Sequence, residues 1–138
     1  MRWAPAATLA GCVALAGCGG SAGDLLGMQI TGGPGNVKEQ MHVTEDGRTS
    51  CNTGNLHALP SQTVLDARNI KREAKPLIDD GAQYPATLPG RRTFELKTPD
   101  GSLVWGEGQP GLPALLPQAE LLALKLEDYC PNKRQDTG

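Results

Sequence analysis

Short runs of two-residue alternation and two helical patterns divide the chain. Met28 and Ile30 flank Gln29, the spacing of a strand with one buried face. Gly32-Gly33-Pro34-Gly35 must form a loop. Val37, Glu39, Met41 and Val43 then alternate with Lys38, Gln40, His42 and Thr44, which predicts a second strand. Glu45-Asp46-Gly47-Arg48 reads as a hairpin turn, because Asp-Gly supplies positive φ at low cost, and Arg48 to Asn52 would return. Thr63-Val64-Leu65-Asp66 predicts a helix start with Thr63 as its cap. Val64, Ala67, Ile70, Ala74 and Leu77 recur at helical spacing. Pro76 is expected to kink or break that helix, and Gly81 suits its end. From Arg91 to Thr98, Phe94, Leu96 and Thr98 share a face. Thr98-Pro99-Asp100-Gly101 is a turn, and Ser102 to Glu107 returns with Leu103 and Trp105 on one face. Gly106 to Pro113 is a loop. Gln118 to Tyr129 predicts a helix with Leu122, Leu126 and Tyr129 on one stripe, stopped by Pro131.

Residues 1–18 are of a different kind. Arg2 is their only charge, and an apolar stretch runs from Trp3 to Ala16. A charged start, apolar middle and small-residue end is the layout of a secretory signal. The stretch falls short of the 20 or so residues of a membrane span, so a retained transmembrane anchor is not expected. Its end, Leu15-Ala16-Gly17-Cys18, resembles the lipobox of bacterial lipoproteins, in which the cysteine thiol is acylated and becomes the first mature residue. The same letters at Leu9-Ala10-Gly11-Cys12 would leave too short an apolar region. The resemblance implies a signal peptide over 1–17, lipid on Cys18, and a flexible Gly/Ser tether over 18–27. Ordinary secretion is the rival, since Ala14-Leu15-Ala16 also fits a small-x-small cleavage rule. Lipidation at Cys18 leaves Cys51 and Cys130, an even number in an oxidising compartment, and so predicts one disulfide between them. No Lys/Arg cluster flanks Cys18 in the sequence, so the acyl chains themselves must hold the anchor.

The expected fold class is α+β: a small antiparallel sheet with helices on one face, in strand-strand-helix-strand-strand-helix order, as one domain over 28–130 with a polar tail over 131–138. Joining Cys51 to Cys130 would close about 80 residues, worth about 4–5 kcal/mol by the chain-entropy model. The element order, together with Thr31-Gly32-Gly33, Gly35 and the Asp46-Gly47 turn, resembles the emfourin family of small inhibitors of thermolysin-like metalloproteases. Pro34, the two cysteines and the lipobox depart from that family's pattern. The resemblance implies a related fold and an inhibitory activity, and carries over no inhibitory residue.

Composition narrows the chemistry. Removing residues 1–17 takes Arg2 with them and leaves 12 basic against 15 acidic groups. An acidic chain is a poor non-specific binder of nucleic acid, so no nucleic-acid partner is expected. Gly106-Glu107-Gly108-Gln109-Pro110-Gly111 spells GxGxxG, but a dinucleotide site needs a strand-helix-strand unit and a later acid. Only 27 residues follow Gly111, so a plain loop is the reading. His42 and His57 are the only histidines, fewer than a zinc site needs without the cysteines. Ser50, Ser61 and Ser102 lack a Gly-x-Ser-x-Gly elbow. Asp79-Asp80 lacks the further oxygens of a calcium loop. No catalytic, cofactor-binding or metal-binding residue is therefore assigned. Arg68, Arg72 and Lys75 form a basic stripe, with Arg91-Arg92 as an extension: a solvated face, or a dock for an acidic partner, a teichoic acid or a lipid headgroup. Trp105 and Tyr84 could line a groove, with Trp105 better placed in the core.

The leading expectation is a non-enzymatic binding module, lipid-anchored on the extracytoplasmic face of the cell membrane, with a protein or envelope partner. Its candidate partner loops carry Gly32, Gly33, Gly35 and Asn36, and Gly106 and Gly108. The alternatives are an emfourin-like inhibitor, presenting Gly32–Asn36 or Gly106–Pro113 to a protease cleft, and a small envelope enzyme with no recognisable motif.

Overall fold

A computed structural model describes residues 23–52 and 54–131. The expected signal over 1–17, Cys18, the first part of the tether and residues 132–138 of the tail lie outside the described residues. Six strands and two helices follow in the order β1 (Asp24–Gly32), β2 (Val37–Thr44), β3 (Arg48–Cys51), β4 (His57–Ala58), α1 (Ser61–Asp79), β5 (Arg92–Thr98), β6 (Gly101–Gly106) and α2 (Leu115–Glu127). The fold class is the expected α+β, with one antiparallel sheet in the spatial order β4-β3-β2-β1-β5-β6. Four strands precede α1, where the expected order had two: the return expected over Arg48 to Asn52 is β3, paired with β2, and the two-residue β4, which no pattern marked, pairs with β3 in turn.

The alternation expected of β2, β5 and β6 is the alternation found. Met41, Met28, Leu96 and Leu103 lie in one row across four strands, and Ile30, Phe94 and Trp105 in the next. All seven are buried under the helices. Trp105 is fully core, its ring stacked 5.9 Å from that of Phe94. The other face of the sheet carries Gln29, Gln40, Glu95, His42 and Lys97, as a face left to water should.

The first strand corrects one expectation. Asp24 to Gly27 belong to β1 and not to a tether, and Leu25 and Leu26 are both buried. A register shift between Asp24 and Leu26 permits two consecutive residues to face the interior. That break in the two-residue period is why alternation alone started the strand at Met28.

Helix α1 begins at Ser61 after Pro60, with no side-chain cap; Thr63, the expected cap, is buried inside the helix. Pro60 is the N-cap, its carbonyl accepting the Val64 N–H at 3.1 Å. The chain stays helical past Pro76 to Asp79, and Gly81, at φ 69°, ends it as expected, with its N–H bonded to the Ile78 carbonyl at 3.0 Å. Helix α2 begins three residues before Gln118, because Pro117 in the first turn gives up an N–H that has no intrahelical partner there. It ends at Glu127, so Leu122 and Leu126 are buried on its stripe while Tyr129 lies beyond it.

Contacts at the two ends of α1 fix its course. Val64 packs on Gly47 of the β2–β3 turn, 3.1 Å from where a Cβ would sit, and Gly47 at φ 84° needs to be glycine for the turn as well. Ile78 packs still more closely on Gly101 of the β5–β6 turn, 2.6 Å from where a Cβ would sit. The helix thus crosses the sheet from one hairpin turn to the other, at the end where β1 begins. Alongside it α2 runs the opposite way, with Lys125 of its last turn 3.4 Å from Asp66 in the first half of α1. Just after α2, Cys130 is joined to Cys51 with Cα atoms 5.0 Å apart, the predicted disulfide.

Candidate partner-binding surface

The two glycine loops singled out in the sequence come together at one end of the sheet. Gly32 pairs with Arg92 and Thr93 with Gly106, so the β1–β2 turn and the β6–α2 loop both leave from the end opposite the first residue of β1. Residues 33–36 form a tight turn closed by the Asn36 N–H on the Gly33 carbonyl at 3.1 Å. In the β6–α2 loop the Gln109 side chain accepts the Gly106 N–H at 3.1 Å. That side chain takes an amide which a phosphate-cradling loop would leave free.

Arg91 and Arg92 bridge the two loops. The Arg91 carbonyl lies 3.4 Å from where a Gly32 Cβ would sit, and its guanidinium 2.8 Å from that of Gly108. The Arg92 side chain lies 2.7 Å from where a Gly33 Cβ would sit, and its carbonyl accepts the Glu107 N–H at 2.9 Å. Any side chain at Gly33 or Gly108 would displace an arginine. Arg92 faces inward and ion-pairs with Glu127 at 3.0 Å and Glu107 at 3.4 Å. Arg91 is exposed and has no ion pair among the described residues. The sequence read both arginines as one extension of the basic stripe on α1; the fold sends them to the far end of the sheet and into different roles.

Beside this bridge, Glu120 accepts the Trp105 indole N–H at 2.9 Å. Burial pushes the Glu120 carboxyl above the usual carboxylate range, opposed by the indole hydrogen bond and reinforced by the charge of Glu107. These carboxylates were not singled out from the sequence; their only signal is their place next to the glycine loop and on a leucine-rich helix. Among the described residues no group of three or more His, Cys, Asp or Glu is placed to hold a metal ion.

The histidines and Ser50, Ser61 and Ser102 lie elsewhere. His42 sits 3.2 Å from Asp24 on the open sheet face, with Ser50 opposite it on β3, but no hydrogen bond joins Ser50 to His42. Ser61 opens α1 and Ser102 lies on β6. His57 lies on β4 with its ring 5.7 Å from that of Tyr129. Tyr84 is partly buried against the core. Among the described residues no helix is long and apolar enough to cross a membrane.

No family model, curated protein or solved structure matches the chain. The arrangement rests on its own geometry: a rigid sheet end with two glycine loops pinned by arginine side chains, and one arginine left to solvent.

Proposed function

We propose that the protein is a lipid-anchored, extracytoplasmic binding module that presents the Gly32–Asn36 and Gly106–Gly108 loops to a protein or envelope partner. One observation carries this reading: the paired loops occupy the end of the sheet opposite Asp24, the end that an anchor at Cys18 would hold near the membrane. The Cys51–Cys130 disulfide supports an oxidising compartment. Short loops that leave directly from paired strand ends are held more precisely than free ones, and Gly35, with nothing within 4 Å of where its Cβ would sit, leaves the backbone open to a partner.

The test uses the intact acylated chain with a photo-cross-linking residue at Asn36 or, as control, at Gln40 on the open sheet face. Cross-links to one envelope component from Asn36 and none from Gln40 are expected. Equal labelling from both positions would count against the loop end. An unmodified Cys18 thiol in the processed chain, read by mass spectrometry, would count against the anchor.

The emfourin-like inhibitor reading asks for an extended loop that can enter a protease cleft. Residues 33–36 are a tight turn, so residues 107–113 are the segment with the length for it. Titration against a thermolysin-like enzyme decides: inhibition lost on shortening residues 107–113 favours this reading, and no slowing removes it.

A further inference from the structure

We propose that the flank of α1 carrying Arg68, Lys71, Arg72 and Lys75 is a docking surface for the anionic phospholipid headgroups of the membrane that anchors the chain. The inference rests on the anchor reading and adds a second membrane contact to it. In the sequence these cations lie 50 residues and more beyond Cys18, and nothing basic flanks that cysteine. The fold brings them to the anchor's side of the molecule. The Gly23 carbonyl accepts the Glu45 N–H at 2.9 Å, and the Glu45 carbonyl accepts the Arg68 guanidinium at 3.3 Å. Arg68 is thus two hydrogen bonds from the point where the chain enters the fold. Residues 19–23 span at most about 18 Å when fully extended, so this end cannot move far from the headgroup layer.

The four cations recur at i, i+3, i+4 and i+7, one stripe of the helix. They surround a hollow of about 290 Å³ floored by Leu25 and shared with Glu45 and Asp100. Lys71 is paired with Glu45 at 3.5 Å, and Lys75 with Asp79 at 2.8 Å and Asp100 at 3.7 Å. Arg68 and Arg72 are different. Their guanidiniums meet only neutral acceptors, the Glu45 carbonyl and the Asn69 side-chain oxygen at 2.8 Å, and both residues are exposed. Among the described residues neither has a carboxylate partner. A guanidinium fork is matched to two oxygens of a phosphodiester, which makes these two arginines the headgroup contacts.

The test is arginine modification by phenylglyoxal, read residue by residue by mass spectrometry, on the acylated chain in vesicles. In vesicles containing phosphatidylglycerol, labelling of Arg68 and Arg72 should slow by about five-fold per headgroup contact relative to phosphatidylcholine vesicles. Arg91, at the far end, should label equally in both, and high salt should abolish the difference. Arg72→Glu should restore Arg68 labelling, and Arg72→Gln should do so in part; both substitute an exposed helix position and leave the disulfide in place. Equal labelling of Arg68 in the two vesicle types would overturn the proposal. So would equal protection by inorganic phosphate without vesicles, which would make the hollow a general anion site. Failure of the anchor reading shows separately, as a free Cys18 thiol. Sedimentation of that unacylated chain with phosphatidylglycerol vesicles then still reads the arginine surface by itself.

Discussion

Arg92 holds two carboxylates of very different exposure: Glu127 at 1% and Glu107 at 32%. Removing the guanidinium would take a charged partner at 3.0 Å from a carboxylate that is almost fully buried, and breaking a pair with a buried member is costly. Arg92→Met should therefore destabilise the fold by about 3 kcal/mol, read as a fall in the urea midpoint at unchanged slope. A loss below about 1 kcal/mol, the range of an exposed pair, would show that Glu127 does not depend on Arg92 for its place in the fold. Glu120 supplies a pH dependence of definite sign. Burial, with the charge of Glu107, raises its folded pKa above the unfolded value near 4.5, so the folded state holds this proton more tightly. Its stabilising contribution is complete below that value and is lost as pH rises through the folded pKa. Glu120→Gln keeps the acceptor for Trp105 and removes the titration. The variant should gain stability relative to the parent as pH rises from 4 towards neutrality; parallel stability curves would refute the assignment.

Elements differ in how much of them the sequence reveals, and the reason is the period each obeys. Strands β2, β5 and β6 bury one face only, so Met41, Val43, Phe94, Leu96, Leu103 and Trp105 stand out by alternation. β1 breaks that period at Leu25-Leu26, where the bulge turns both residues inward, and its first half reads as tether. β4 is two exposed residues held by pairing to β3, with no hydrophobic signal. α1 starts just after Pro60, without a side-chain cap, and the hydroxyl of Thr63 lies inside it, so the capping signal misplaced the start. The candidate loops are visible as glycine clusters, yet their meeting through Arg91 and Arg92 depends on strand register, which local patterns do not fix. The disulfide was legible by counting cysteines, and its effect belongs to this scale. It ties the end of α2 to β3 across 79 residues. Replacing both cysteines by serine should cost about 4 kcal/mol, since the denatured chain regains the freedom of the open loop. Equilibrium unfolding of the double variant, compared with the oxidised parent at equal pH, checks it.

For the whole molecule, the two surfaces define an orientation. β1 is 9 residues long, so about 30 Å separates the end holding Gly23, Glu45 and Asp100 from the glycine loops. Helix α1 lies across the first end, with Arg68 and Arg72 beside the point of chain entry. An anchor at Cys18 with only residues 19–23 before the strand, together with headgroup contacts along α1, would hold the strands away from the bilayer and lift the loops clear of it. A single point of attachment would let the domain tumble and bring either end to the surface. These cases separate in one measurement on the acylated chain in phosphatidylglycerol vesicles doped with a headgroup-bound quencher. A fluorophore at Asp46, in the turn beside α1, should be strongly quenched, and one at Asn36 barely quenched. Arg72→Glu should narrow the contrast by releasing the second contact while the anchor remains. Equal quenching at both positions in the parent chain would mean that the domain is tethered but not oriented, and that its loop end faces no direction in particular.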